Sequence, residues 1–260
     1  MRLCSRVILA CTLSVVLGSQ LCAEDFRIET EVYARSKGEA DVRYLTIFTS
    51  DATYDFRLTE PQETVIYEPG LHRITLLSPS RKLRTGIQQS DLIEFTAALK
   101  AKVSESRPLF YFACNPQFKV ETDDSAQTVS LSSPLLSYRI QAESPKASYN
   151  DAVNRYQEFA DWSARLSAMR AGALHLPPFA RIEANQIVAR KGWIPSEVER
   201  TVTVGSKKQE SRTKHVVNWI VSDQDQKRIS RAGDDLVTFR SVPYVEYAQD
   251  ETQVAKKETR

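Results

Sequence analysis

The three histidines are the first residues to consider for acid–base or metal chemistry. His72 and His215 lie within strand-like stretches, and His175 lies in a proline-rich loop. None has a second ligand four residues away or an HExxH setting, which a helical zinc site would require. We therefore predict structural or surface roles for all three, with no metal site and no cofactor.

The sequence also carries no motif for an activated nucleophile. It contains no G-x-S-x-G elbow and no glycine-rich phosphate loop, and the whole chain has 8 glycines. Cys114 lies in the apolar stretch LFYFACNPQF, where a thiol is usually an inert core residue. A nucleophilic role would require a nearby base, and the sequence indicates none. We predict no catalytic residue.

Carboxylates leave one enzymatic hypothesis open. Asp223-Gln-Asp225 resembles the start of a calcium loop, but the sixth-position glycine and terminal glutamate are absent, so helix capping explains it better. The two carboxylates of a glycoside hydrolase are defined by their distance in the folded protein and not by their spacing in the sequence. Because Asp and Glu are plentiful in this chain, the sequence does not exclude such a pair. A hydrolase with an unrecognised carboxylate site therefore stays a third hypothesis, behind two non-enzymatic ones.

The N-terminal segment has the layout of a secretory signal. Arg2 and Arg6 precede an apolar run at residues 7–17, and Leu21-Cys22-Ala23 is a tolerable cleavage site. The apolar run is shorter than the roughly 20 residues of a spanning helix, and no later segment is long or apolar enough. Lipid anchoring at Cys11 or Cys22 is a poorer alternative. We predict cleavage after Ala23 and a periplasmic or extracellular protein with no membrane span.

The charge balance argues against a nucleic-acid partner. The chain has 35 Lys and Arg against 33 Asp and Glu, and residues 1–23 contain two arginines and no acid. The mature chain would thus be formally neutral, whereas nucleic-acid binders normally show a positive excess. Three of the four cysteines also lie in the signal segment, so Cys114 has no partner for an intrachain disulfide.

Short alternating apolar runs dominate residues 24–143. Residues 26–33, DVRYLTIFTS and ATYDFRLT predict strands, and TVIYEP and LHRITLLS pair around Pro69-Gly70, which suits a type II turn. A helix capped by Ser90 ends before Pro108. LFYFAC, QFKVETD, QTVSLSS and LLSYRIQAE then predict further strands.

Helical spacing dominates residues 148–248. One helix begins near Ser148, a second runs from Pro177-Pro178 to Gly192, a hairpin follows, and Ser222 caps a last helix. Residues 249–260 are almost entirely polar, with Val254 and Ala255 as their only apolar side chains, and predict disorder. Strands in a block followed by helices indicate an α+β fold with helices on one face of an antiparallel sheet. A single domain at residues 24–248 is the simplest organisation.

The meander YDF…IYEPGLHRITLLSPSRK, together with the signal and the following helix, resembles the periplasmic lipoprotein-carrier (LolA-like) proteins over residues 26–143. The resemblance implies a curved, half-barrel-like antiparallel sheet covered by helices, with an apolar cleft for acyl chains. The helical segment at residues 148–192 and the late hairpin depart from the family, so the cleft could instead hold the chain's own side chains. FADWSARL, LPPFARIEANQIVARKGWIP and HVVNWIVSDQDQKRI are similar to an uncharacterised family of secreted bacterial proteins, which implies no activity.

Two non-enzymatic hypotheses follow. In the first, an exported binding protein holds a lipid or lipoprotein in an apolar cleft lined by one face of the strands: Phe48, Tyr54, Phe56, Ile66 and Leu76. The same residues could equally form ordinary core. In the second, a sheet edge or the late hairpin docks another envelope protein. An apolar cavity of roughly 300 Å³ or more would favour the first, and a filled interior the second.

Overall fold

A computed structural model of the chain describes residues 24–34, 38–170 and 176–249. The predicted signal segment, His175 and the predicted disordered tail from residue 250 onward lie outside the described residues.

The described strands form a single open sheet. From one edge to the other the order is β12-β6-β5-β4-β3-β2-β1-β11-β10-β9-β8-β7, with every neighbouring pair antiparallel except β12 and β6. Insertion of the late hairpin β10–β11 between β1 and β9 joins the two blocks of strands. The strands are β1 Phe26–Tyr33, β2 Val42–Phe48, β3 Thr53–Arg57, β4 Glu63–Glu68, β5 Arg73–Ser78, β6 Leu83–Gln88, β7 Lys119–Asp123, β8 Thr128–Ser132, β9 Leu136–Glu143, β10 Ile194–Val204, β11 Lys207–Asn218 and β12 Arg240–Ser241.

Five α-helices among the described residues pack against this sheet, and the predicted α+β class is confirmed. They are α1 Gln89–Lys102, α2 Pro108–Cys114, α3 Ala152–Met169, α4 Phe179–Arg190 and α5 Asp223–Thr238. Residues 244–249 are also helical. None of the helices in this described portion is both long and apolar enough to cross a membrane.

Two local predictions were wrong. LFYFAC is helix α2, not a strand, because Pro108 sits at the first helical position, where its missing N–H costs nothing. Pro69-Gly70 opens a 3₁₀ turn over Pro69–Leu71 instead of a type II turn. His72 is the residue with a positive φ, at 50°, and its N–H donates a hydrogen bond to the carbonyl of Pro69.

The strand register assigns every side chain to one of two faces. Ile28, Thr46, Asp55, Val65 and Leu76 are opposite one another across five strands, so they share a face. We call it the α3 face, because α3 packs against its apolar members. Their sequence neighbours point to the opposite surface, the α5 face, where α5 packs.

The prediction that helices cover one face was therefore wrong. Helix α5 packs through Ala232 onto a separate apolar cluster that includes Ile47 and Leu77. β2 and β4 carry consecutive buried residues because both of their faces are covered. Period-2 alternation, the pattern used to assign strands, disappears in such a strand.

The α3 face carries two apolar clusters separated along the sheet. The first lies under α3 on β1 to β6, with the rings of Phe26 and Phe48 stacked at 4.4 Å between centroids. The second lies under α2 and α4 on β8 and β9, and includes Leu131 and Ile140. Between them, the face of β1, β11 and β10 carries half-buried, partly polar side chains, with Val198 and Val202 packed against the second cluster.

Candidate functional site

A row of polar residues crosses the middle of the α3 face. Glu63, Arg57, Tyr44, Thr30 and His215 are paired in direct register across β4, β3, β2, β1 and β11. All five are half-buried. Most covered sheet faces are apolar, so a continuous polar row is a departure that points to a specific role.

The middle of the α3 face, on β1, β11 and β10, combines polar and half-buried apolar side chains, and one side chain each from α3 and α4 lies near it. We call this region the central recess. It comprises Thr30, Val32, Val198, Arg200, Thr213 and His215 on the strands, Tyr156 of α3 and the exposed Arg181 of α4. The residues on the strands and Tyr156 retain partial solvent contact.

His215 shows how strongly this space is shielded. Its Nδ1 lies 3.0 Å from the Thr30 hydroxyl oxygen, and its ring stands edge-on to Tyr156, with centroids 6.1 Å apart. Burial, and secondarily the Arg181 guanidinium, lower the pKa of His215 to about 4. Burial also raises the pKa of Tyr156 to about 12. Both groups are therefore neutral at pH 7. Ionisable groups with perturbed pKa values that lie close together mark a candidate functional site.

Arg200 brings a positive charge to the floor of the recess. It lies opposite Tyr138 on β9 and Ser211 on β11. Burial lowers the pKa of Arg200, the nearby Tyr138 raises it, and the Arg181 guanidinium lowers it further. The exposed Arg181 of α4 is thus a second positive charge near Arg200.

A carboxylate network lies at the far end of the polar row. The Thr46 hydroxyl donates to Asp55 at 2.7 Å, and Glu63 accepts from the Tyr247 hydroxyl at 3.0 Å and pairs with Arg170. Burial raises the pKa of Asp55 to about 6. Both carboxylates already have partners within the fold, which favours a structural role over acid–base chemistry.

Replacing Asp55 with Asn should stabilise the protein near neutral pH. Because the folded-state pKa lies above the ordinary value of 3.8, wild-type stability falls as pH rises from about 4 to about 6 and the buried group ionises. Asn keeps the oxygen that accepts from Thr46 and never ionises. We expect the free energy of unfolding to rise by about 1–2 kcal/mol at pH 7, allowing for partial solvent screening.

Urea denaturation at pH 4 and pH 7 measures this effect, with the exposed Asp51→Asn as the matched control. A gain from Asp55→Asn that is equal at both pH values would contradict the ionisation argument.

The five residues predicted to line an apolar cleft lie on two faces. Phe48 and Leu76 lie on the α3 face, fully buried in its first cluster, whereas Tyr54, Phe56 and Ile66 belong to the α5 cluster. They therefore do not line one cleft together. Tyr54 and Phe56 flank Asp55, and the alternation of β3 sends Asp55 to the α3 face and the two rings to the other.

Two other surface recesses have mainly polar linings. One of about 160 Å³ lies between the β2–β3 turn and the start of α3, and is lined by Thr49, Asp151, Arg155 and Glu158. The second, of about 510 Å³, lies near β5 and β6, and its lining includes Arg73, Arg84, Gln88 and Ser241. Neither is an apolar cavity of the kind that an acyl carrier would need.

Cys114 and His72 have ordinary surroundings. Cys114 is fully buried, and burial raises its thiol pKa, which disfavours the reactive thiolate. His72 lies on the surface, with its Nδ1 3.2 Å from the Gln89 side-chain oxygen. Within the described ranges, no group of three or more His, Cys, Asp or Glu is arranged to hold a metal ion.

The sequence held a signal for the recess that we missed. Val198, Arg200 and Val202 alternate along β10, so an arginine occupies the face that its neighbours mark as apolar. Such a placement predicts a buried guanidinium. The sequence does not indicate that Arg181 on α4 approaches it, because that contact depends on how α4 crosses the sheet.

Comparison with known proteins shows a remote likeness to solved structures. No protein-family profile and no curated protein matches the chain. Among solved structures, a LolA superfamily protein from Nitrosomonas europaea covers 79% of this chain and 89% of its own, at 8% identity and a TM-score of 0.30. At this distance no residue role is carried over, and the site is argued from this chain's own geometry.

Proposed function

We propose that this chain is an exported, non-enzymatic binding protein that holds an amphiphilic ligand, a lipid or lipidated partner, in the central recess. The observation that carries the proposal is the half-exposed floor on β1, β11 and β10, shielded enough to lower the pKa of His215 to about 4. A recess of this kind, with apolar walls and a few converging polar groups, is typical of ligand sites.

The floor of the recess has the composition that an amphiphile requires. Val32, Val198 and Val202 offer half-buried apolar contact, and Thr30, Thr213 and Arg200 alternate with them in register. An acyl chain can pack on the valines while its head group faces the polar row. This arrangement replaces the wholly apolar cleft predicted from the sequence.

Docking of another envelope protein is the second candidate, and it has a defined place in the fold. β7 pairs only with β8 among the described strands, and all five of its residues are exposed. An open edge can accept a partner strand. However, Lys119, Glu121 and Asp123 place charges along this edge, which natural sheets use to prevent such pairing.

Native mass spectrometry of protein exported by a bacterial host tests the proposal. We expect a mature mass beginning at Glu24, accompanied by a co-purified acyl species. Thr213→Trp should abolish that species because the indole fills the recess floor, whereas Val216→Trp should retain it. Val216 lies on the same strand, but on the opposite face and 58% exposed.

A mass without any acyl species in both the wild type and Val216→Trp would contradict the proposal. So would retention of the species in a folded Thr213→Trp variant, with folding checked by circular dichroism. Retention of residues 1–23 would contradict the export part alone.

A further inference from the structure

A second recess lies at the open edge of the sheet, on the α5 face. Its volume is about 510 Å³, which is within the range of small-molecule sites. Six of the residues that line it share one face of β5, β6 and β12 by the strand register. We call it the edge recess: Arg73, Thr75, Arg84, Gly86, Gln88 and Ser241. The central recess lies on the opposite face, so the two sites are separate.

Gly86 leaves a gap in the floor of the edge recess. It lies opposite Thr75 on β5, and the Cδ of Arg73 is 3.7 Å from the position that a Cβ at residue 86 would occupy. Arg73 thus approaches the glycine from β5, and Arg84 lines the same recess two residues before it on β6. Thr75 is 3% exposed, and its hydroxyl forms no hydrogen bond with another described residue.

The edge recess carries a positive charge that its neighbours do not balance. Arg73 donates to the Glu68 carboxylate, through Nε at 3.0 Å and through Nη2 at 2.8 Å. Arg84 donates through Nε at 3.3 Å to the main-chain carbonyl of Phe239, which is uncharged. Among the residues that the structure describes, no carboxylate lies within 4.0 Å of the Arg84 guanidinium. The recess therefore presents one unpaired positive charge.

The main chain of Gly86 adds a further donor. The Arg84 carbonyl accepts from the Val242 N–H at 2.9 Å, so the main-chain groups of Arg84 point to the edge side of β6. Those of Gly86, two residues later, point the same way. Pro243 has no N–H, and no described strand continues the pairing beyond β12. The Gly86 N–H is therefore left open at the edge.

We propose that the edge recess binds a small organic anion through its phosphate or carboxylate group. Arg84 supplies the unpaired charge, and the Gly86 N–H and the Thr75 hydroxyl are additional donors. An added peptide strand fits less well, because the next edge donor, the Gln88 N–H, is already bonded to Asp91 at 3.2 Å. The site is independent of the central recess, so either can exist without the other.

Isothermal titration calorimetry of the purified protein with glycerol 3-phosphate, succinate and glycerol tests this site. We expect at least one of the two anions to bind and uncharged glycerol not to bind. Arg84→Gln should weaken anion binding at least tenfold, because a hydrogen bond to a charged group is worth about a factor of ten or more. Arg139→Gln removes the same charge from an exposed position on β9 and should bind the anions as the wild type does.

Gly86→Val is a second test that leaves both arginines in place. The atom nearest to the new Cβ is 3.7 Å away, which is an ordinary contact, and valine favours strands, so the fold should tolerate the change. Its side chain would occupy the gap in the floor of the edge recess. We expect anion binding to weaken at least tenfold in this variant also.

The two anions identify the group that is recognised. A preference for glycerol 3-phosphate supports the site with a phosphate ligand, and a preference for succinate supports it with a carboxylate ligand. Binding of neither anion, or equal binding of glycerol, would overturn the proposed site and leave the central recess unaffected. Anion binding that is unchanged in Arg84→Gln, or in a Gly86→Val variant shown to be folded by circular dichroism, would overturn it equally.

Discussion

Phe48→Ala is expected to lower the free energy of unfolding by about 3–5 kcal/mol, the usual cost of deleting a fully buried aromatic ring. The ring of Phe48 is stacked on Phe26 and meets Phe159 of α3 edge-on, with centroids 5.9 Å apart. Alanine would leave a cavity on the α3 face between β1 and α3. A domain of this size has roughly 5–15 kcal/mol of stability in total, so the variant should be severely destabilised.

Urea denaturation followed by far-UV circular dichroism measures this loss, with Tyr54→Ala as the control. Tyr54 is also an aromatic residue of the β2–β3 hairpin, but it is half-buried on the α5 face, so its loss should be about 1 kcal/mol. The comparison also decides the role of Phe48. A loss below about 1 kcal/mol for Phe48→Ala would mean that the ring lines an open cleft, as the sequence had suggested.

Asp225→Ala is expected to cost about 3 kcal/mol, because it breaks a buried ion pair and the reciprocal half of a helix capping box together. Asp225 is 1% exposed and accepts from the Ser222 N–H at 2.8 Å and from the Ser222 hydroxyl at 2.6 Å. Arg27 of β1 donates to the same carboxylate at 3.2 Å. Removing the Asp225 side chain breaks the reciprocal half of the Ser222 capping box and leaves the Arg27 guanidinium without this partner.

The same carboxylate should make the protein acid-sensitive. Burial alone would raise the pKa of Asp225, but hydrogen bonds from Ser222 and the Arg27 guanidinium outweigh it and hold the pKa below its ordinary value. A lowered carboxyl pKa contributes stability above about pH 4, and this contribution disappears as pH falls through the folded-state value.

Denaturation of Asp225→Ala between pH 2 and pH 7 checks both effects, with Asp223→Ala as the control in the same helical turn. Asp223 is exposed, so its removal should cost only a few tenths of a kcal/mol. The gap between wild type and Asp225→Ala should narrow below pH 4. A constant gap over the whole range would show that the ion pair with Arg27 contributes nothing.

Much of the architecture could be predicted from the sequence because local patterns agree with the fold. The strands of β1 to β6, the capped helix α5 and the late hairpin all follow from alternation, turn residues and Ser222. LFYFAC could not be assigned by periodicity, since a short, wholly apolar run fits a strand or a helix equally. Pro108 was the better indicator, because proline favours the first turn of a helix.

The candidate site was much less predictable, because long-range pairing builds it. Thr30 and His215 are 185 residues apart, and they meet only because the late hairpin inserts beside β1. The cleft residues chosen from the sequence failed to share a face because strands covered on both sides show no alternation that separates one face from the other. The export prediction concerns residues that the structure does not describe, and it stays a prediction.

The most direct test of the ligand site is isotope-filtered nuclear magnetic resonance of the labelled protein with unlabelled dodecanoate. We predict nuclear Overhauser contacts from the acyl protons to the methyl groups of Val32 and Val198 in the central recess and of Val202 beside it. Contacts confined to the opposite face, such as to the exposed methyl groups of Val216, would contradict this account. An absence of any contact at saturating dodecanoate would contradict it equally.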